Sequence, residues 1–329
     1  MRGRLRDSRA EPAGRAAAVK PEEVARVWDV GAVQAVRPLG GGSINGAWRV
    51  LTAAGAFHLR VYRSPDRARA GREHGAIAAA VAAGVPTPEP LPTRSGGALG
   101  QIGGELAALF PLAPGAPVPR RALTPAYAAA LGTFLAELHD RLPPAVPFEV
   151  PQLRASSIER TVERLERVEA ALLALPAPDE VDSWALARTR QRLAHLRASP
   201  LPDHQPAFPH RFLHGDYHDG NVFFVGTRPA ALIDWEQTRL APRAWEIVRC
   251  LDLSLKLDPA LSTAFLKGYR ERLPLSADEL ADGGAFYAFL QERNVWTYES
   301  VYIEGNPGPR RFIGPPPYVP FQVRWAALT

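Results

Sequence analysis

His214-Gly215-Asp216-Tyr217-His218-Asp219-Gly220-Asn221 places an aspartate and an asparagine in one polar loop, and Ile233-Asp234-Trp235-Glu236 follows after one short apolar segment. Phosphoryl transfer from ATP asks little of a protein. One carboxylate must orient the acceptor hydroxyl, and an amide oxygen and a second carboxylate must hold Mg²⁺ on the phosphates. Asp216, Asn221 and Asp234 supply those three groups in that order. Asp216 is therefore the candidate catalytic base, and Asn221 and Asp234 are the candidate metal ligands.

The flanking residues say how these groups meet. Arg211-Phe212-Leu213 is an apolar lead-in, and Val222-Phe223-Phe224-Val225 reads as a strand. Gly226-Thr227-Arg228-Pro229 has turn composition, and Ala230-Ala231-Leu232-Ile233 returns as a second strand. A hairpin of this length sets Asn221, at the start of one strand, beside Asp234, at the end of the other. Two hard oxygen donors then face one point, as Mg²⁺ requires. His214 and His218 lie on a loop without a third ligand nearby, which argues against zinc. His214 is expected to hydrogen-bond backbone and stiffen the loop.

Phe212-Leu213-His214-Gly215-Asp216 and Ile233-Asp234-Trp235-Glu236 resemble the signature segments of the aminoglycoside phosphotransferase family, which includes choline, thiamine, homoserine and methylthioribose kinases and some bacterial protein kinases. The likeness extends over roughly residues 33–305. It implies an α+β, bilobal, protein kinase-like fold, with a small antiparallel β-sheet lobe and a larger α-helical lobe. It also implies ATP and Mg²⁺ as cofactors and a hydroxyl-bearing small molecule as acceptor. In relatives, the residues matching Asp216, Asn221 and Asp234 act as base and magnesium ligands. Glu246 in Trp245-Glu246-Ile247 resembles a family acid that braces the catalytic loop; an ordinary helix-surface glutamate would read the same way.

Composition narrows the alternatives. The chain has 329 residues, 46% hydrophobic and 22% charged, enough for a large core in two lobes. No apolar run reaches ~18 residues, so no membrane span is expected. The single Cys250 excludes an internal disulfide and fits a reducing cytoplasm. A net charge of +5 would invite nucleic acid, but 36 of the 39 basic residues are arginine and they are scattered among glutamates, not gathered in a stripe. No nucleic-acid or membrane partner is expected. Residues 1–23 are basic and alanine-rich, lack the apolar core of a secretory signal, and read as a disordered tail.

The first lobe, 24–112, should bind ATP. Strands are expected at 33–37, 47–52, 57–62, 98–102 and 105–110. Gly40-Gly41-Gly42-Ser43 forms a tight loop between the first two strands, where backbone amides can approach phosphates; Gly41, Gly42 and Ser43 are its candidate contacts. In the third strand a kinase carries a phosphate-binding lysine. Here the residue is Arg60, and no lysine occurs between Lys20 and Lys256. Either Arg60 holds the phosphates or the site is weakened, and the intact remainder of the machinery favours the first. Ser64-Pro65 reads as the cap of a helix ending at Gly84, and Glu73 within it is the expected partner of Arg60. Phe110 and Leu112 belong to a segment resembling the family hinge, where the backbone holds adenine.

The second lobe, 113–305, should be helical and carry the catalytic and acceptor-binding residues, with a proline-rich tail at 306–329. Helices are expected at 125–142, 158–172, 183–197, 251–256, 259–272 and 277–302, the last split at Asp282-Gly283-Gly284. Glu292, Glu299 and Glu304 late in the chain would favour a cationic acceptor or lie on a solvated helix face. A bacterial stress-response type of protein Ser/Thr kinase and a nucleotide-binding pseudokinase are the competing readings.

Overall fold

The computed structural model describes residues 19–39 and 45–328. Gly41, Gly42 and Ser43, and the tail up to residue 18, lie outside the described residues. Helix α1 (Pro21–Val27) begins inside the stretch expected to be disordered. Its Val24 and the following Trp28 are fully buried against the first sheet, which anchors this segment.

Five strands make that antiparallel sheet: β1 (Val33–Pro38), β2 (Gly46–Thr52), β3 (Gly55–Val61), β4 (Gly100–Ile102) and β5 (Glu105–Pro111), in the spatial order β1-β2-β3-β5-β4. Alternation along β3 sorts its side chains. Leu59 and Val61 join Val24, Trp28, Val50, Ala107 and Leu109 in one core. Each such burial stabilises by roughly 1.5–3 kcal/mol. His58 and Arg60 point to the other face, toward helix α2 (Arg67–Ala82), and the register sets them against Phe110 and Ala108 of β5.

The cap of α2 is Asp66, not Ser64. The Asp66 carboxylate accepts from the amides of Ala68 and Arg69, and Ser64 Oγ accepts from the Asp66 amide. A carboxylate at the positive end of a helix outcompetes a hydroxyl two residues earlier. The other end closes at Gly84 as expected, with Val85 N–H donating to Ala80 O and Gly84 N–H to Val81 O.

The second lobe is mainly helical. Strand β6 (Ala116–Pro117) leads to α3 (Pro125–Arg141), α4 (Ile158–Leu173) and α5 (Glu180–Ala198). Strands β7 (His210–Leu213), β8 (Val222–Val225), β9 (Arg228–Leu232) and β10 (Arg239–Pro242) carry the polar loops, and α6 (Arg243–Leu253), α7 (Pro259–Arg272), α8 (Ala277–Glu292), α9 (Trp296–Tyr302) and α10 (Phe321–Ala326) complete it. Strand β9 starts earlier than expected, at Arg228, because Gly226-Thr227 alone makes the turn. Helix α6 begins at Arg243 and has ended by 254, so the helix expected at 251–256 is only its last turn; Lys256 and Leu257 have positive φ.

Helix α8 runs unbroken through Asp282-Gly283-Gly284, and the break falls after Glu292. The two glycines permit close packing instead of ending the helix. A Cβ on Gly283 would lie 2.5 Å from Ala244 Cβ, and one on Gly284 would lie 2.5 Å from the Trp325 indole nitrogen. The proline-rich tail ends in a helix whose Phe321 and Trp325 are buried on the main core. The architecture is α+β, a small antiparallel sheet lobe beside a larger helical one.

Candidate active site

The loop 214–221 hangs between β7 and β8 and is held from three sides. The amide of Asp216 donates to His214 Nδ1 (3.2 Å), and His214 Nε2 donates to Ile233 O (3.0 Å). These bonds fix a neutral tautomer, and burial keeps the ring uncharged by lowering its pKa. From behind, the Gly215 amide donates to Glu246 on α6 in a short hydrogen bond. Glu246 is fully buried. Its other oxygen accepts from His139 Nε2 (3.1 Å), and the Tyr269 hydroxyl meets His139 Nδ1 at 2.8 Å. Burial alone would raise the Glu246 carboxyl, but the His139 and Gly215 bonds hold it below the usual range. Glu246 thus braces the loop and is no surface glutamate. Gly215 has φ +82°, and a Cβ there would strike Gln237 O, so only glycine fits this crossing.

The hairpin works as the spacing implied. Val222 pairs with Leu232, and the Ile233 amide donates to Asn221 O (3.0 Å), which brings Asn221 level with Asp234. The Asn221 side-chain amide donates to Asp216 O (2.9 Å) and Asp216 Oδ2 (3.2 Å). Asp216 and Asn221 therefore form one unit. Asp234 sits in the left-handed region at φ 68°, a conformation few non-glycine residues adopt.

Sequence reasoning missed the closest partner of Asp216. Arg249 of α6 donates from Nη2 to Asp216 Oδ1 in a short ion pair, and His218 Nε2 lies 3.6 Å from Oδ2. Burial would raise the Asp216 carboxyl, but Arg249, helped by His218 and His214, holds it well below the ordinary carboxylate range. Asp216 is ionised at any physiological pH. The available signal was that Arg249 follows Glu246 by one helical turn, so the two project from the same face of α6.

Arg60 is the hub on the other side. It donates to Glu73 (2.6 Å), Asp234 (3.1 Å) and Glu236 (2.9 Å). The Glu73 pairing is the one expected; the Asp234 and Glu236 pairings are additional. Glu236 also accepts from Asn45 Nδ2 (3.0 Å). Burial pushes Glu73 up, and Arg60 opposes it. The three carboxylates reinforce the charge on Arg60 against its own burial. Phe110 is buried between the rings of His58 and His74, while Leu112 just beyond β5 is exposed.

Three carboxylates against Arg60, with Arg69 3.9 Å from Glu236, leave an excess of negative charge beside Asp234. Hard oxygen donors with that balance fit Mg²⁺. No group of three or more His, Cys, Asp or Glu able to hold a metal occurs among the described residues. Two of the three late glutamates are committed to cations, and the exposed Glu304 keeps its charge. Glu299 takes Arg164 and Arg167, Glu292 takes Arg293 and His195, and Glu304 takes the Ser300 hydroxyl.

The chain matches the phosphotransferase enzyme family over residues 35–280. It is 28% identical to a homoserine kinase of Methylobacterium radiotolerans over 79% of this chain and 78% of that one. A homoserine kinase of Rhizobium etli is 27% identical over 82% of this chain and 83% of its own length. In fold it is similar to spectinomycin phosphotransferase solved with ADP and spectinomycin, with a TM-score of 0.65, 15% identity and coverage of 94% and 91% of the two chains. It is also similar to an amicoumacin kinase, with a TM-score of 0.58, 15% identity and coverage of 92% and 95%. With the family match spanning most of its length, this chain belongs to the phosphotransferase enzyme family.

Proposed function

We propose that this protein transfers the γ-phosphoryl group of Mg-ATP to a hydroxyl of a small-molecule acceptor, with Asp216 as catalytic base. The observation that carries the reading is the Asp216–Asn221 unit, ionised by Arg249 and set by one hairpin beside Asp234. ATP would lie between the lobes, 24–112 above and 113–305 below, with Gly41, Gly42 and Ser43 over its phosphates and Phe110 and Leu112 at the adenine end. Arg60, positioned by Glu73, would bind phosphate oxygens. Asn221 and Asp234 would hold Mg²⁺, which neutralises charge on the phosphates when bound. Asp216 orients the acceptor hydroxyl and takes its proton as the oxygen–phosphorus bond forms. The rest of the acceleration comes from position and charge, since a loose transition state leaves little covalent work to the protein.

The homoserine kinase relatives make homoserine the first acceptor to test. A cytoplasmic setting is part of this reading, supported by the buried, unpaired Cys250; no helix among the described residues is long and apolar enough to cross a membrane. The hold of Arg60 on Asp234 favours a second reading, a pseudokinase that binds nucleotide without turnover. Acceptor-stimulated, Mg²⁺-dependent release of ADP, assayed over alcohols and a generic protein substrate, decides between them. Stimulation by a small alcohol supports the proposal. Stimulation by the protein alone would replace it with a protein kinase, and nucleotide binding with no turnover on any acceptor would leave the pseudokinase.

A further inference from the structure

Side chains alternate along the loop that carries Asp216. Tyr217 and Asp219 are buried: the Tyr217 hydroxyl donates to Leu131 O at 2.8 Å, and the Asp219 amide donates to Ser254 Oγ at 2.9 Å. Asp216 and His218 lie on the other side of the loop, where solvent reaches them, with side chains 20% and 28% exposed. The open side of Asp216, from which an acceptor must come, is thus the side that His218 borders.

Only one oxygen of Asp216 is available there. Oδ1 is held by Arg249, while Oδ2 accepts a longer bond from Asn221 Nδ2 at 3.2 Å. A carboxylate oxygen accepts more than one hydrogen bond, so Oδ2 is the atom left for a hydroxyl. His218 stands beside it with a fixed ring. The Gly220 amide donates to His218 Nδ1 at 2.9 Å, so Nδ1 is the accepting nitrogen and Nε2 carries a hydrogen. Gly220 also leaves room for the ring, since a Cβ there would lie 2.9 Å from His218 Cε1. Nε2 is then 3.6 Å from Asp216 Oδ2, close enough to favour the ionised carboxylate but too far for a hydrogen bond. A donor and an acceptor at that span fit a third atom between them. One oxygen about 2.8 Å from each closes the triangle, accepting from Nε2–H and donating to Oδ2. A hydroxyl group does both.

We infer that His218 is a second catalytic residue, whose Nε2–H binds the reactive oxygen of the acceptor while Asp216 Oδ2 receives the proton of that oxygen. The inference rests on the phosphotransferase reading and adds a residue to the reaction. The two contacts leave one lone pair of the hydroxyl oxygen free to attack the γ-phosphorus. As the oxygen–phosphorus bond forms, the hydroxyl proton moves to Oδ2. The bond from the γ-phosphorus to the β,γ-bridging oxygen breaks, and ADP leaves with its electron pair. His218 keeps its hydrogen throughout, so it orients the nucleophile and acts as neither acid nor base.

The test compares His218→Phe and His218→Gln with the parent. Phenylalanine keeps a ring without a donor, and glutamine returns an N–H donor near the place of Nε2. Mg²⁺-dependent ADP release is measured with L-homoserine, choline and glycerol, and the alcohol that stimulates the parent most is used for all three proteins. Calorimetry gives the Kd for Mg-ATP of each. His218→Phe should lower kcat/KM for the acceptor about 10- to 100-fold, with the Kd for Mg-ATP within about twofold of the parent. His218→Gln should recover much of the loss, which a packing role would not allow. Three outcomes overturn the inference and leave the kinase standing: His218→Phe keeps the kcat/KM of the parent, the loss falls on the Kd for Mg-ATP and so puts His218 on the phosphates, or glutamine does no better than phenylalanine. Stimulation of the parent by none of the alcohols counts against the phosphotransferase reading itself and takes the inference with it.

Discussion

Arg60 shows how far one residue can depart from a pattern without dissolving the site. A lysine would reach one carboxylate as a point charge, whereas the planar guanidinium reaches Glu73, Asp234 and Glu236 together. If it then serves the phosphates, Arg60→Lys keeps nucleotide binding within a few-fold, and Arg60→Met weakens Mg-ATP by about tenfold or more. Calorimetric Kd values for both variants check this, and unchanged affinity in Arg60→Met would remove Arg60 from the phosphates. A second residue-scale consequence concerns acid. Burial, with Arg60 nearby, depresses His74 to about 4 from an ordinary value of 6.5. Between those values the unfolded chain holds the extra proton and the folded one does not. The His74 contribution to stability is therefore lost as the pH drops from 6.5 toward 4, while the raised Glu73 carboxyl acts in the opposite sense. Urea midpoints of the parent and His74→Gln at neutral and mildly acidic pH should differ by this contribution, the variant losing less on acidification; the lowered His58, His139 and His214 keep part of the acid dependence in both.

Elements explain which expectations failed. The β8–β9 hairpin was legible because the cues agreed: apolar strands on both sides, a glycine turn, and the polar candidates only at the strand ends. Arg249 was legible only as a residue on the same face of α6 as Glu246; its pairing with Asp216 was not, because the two meet only after α6 folds back under the loop. His139 of α3 likewise meets Glu246 only in the folded protein. Gly283-Gly284 misled for another reason. Paired glycines suggest a break in a sequence, yet here they let α6 and Trp325 approach the α8 backbone. Gly283→Val should push α6 away from α8 and destabilise the fold by about 1–3 kcal/mol or more. A shift in the urea midpoint without a change in m-value is the expected record. Because α6 carries Glu246 and Arg249, activity should fall as well.

At the scale of the molecule, the sheet lobe and the helical lobe share the main apolar core, in which Ile77 and Phe110 join Leu131 and Trp235, and they also meet through charge. Arg60 and Asn45 of the first lobe reach Asp234 and Glu236 of the second, so this charged cluster is assembled only when the lobes meet. The composition announced two lobes and a large core, but not that the proline-rich end would close that core. Phe321 and Trp325 stack on each other at 5.8 Å, and Arg324 pairs with Asp252 of α6. Trp325→Ala should therefore cost about 3 kcal/mol of stability, visible as a lower melting temperature, although the residue lies in the proline-rich tail. Across all three scales one claim is central: Asp216 acts on the acceptor and does not hold the nucleotide. The most direct test is Asp216→Asn, assayed for Mg-ATP affinity and for acceptor-dependent ADP release in the same preparation. Turnover should fall by about 10²- to 10⁴-fold while the Kd for Mg-ATP stays within a few-fold of the parent. Retained turnover, or a loss confined to nucleotide binding, would contradict the account.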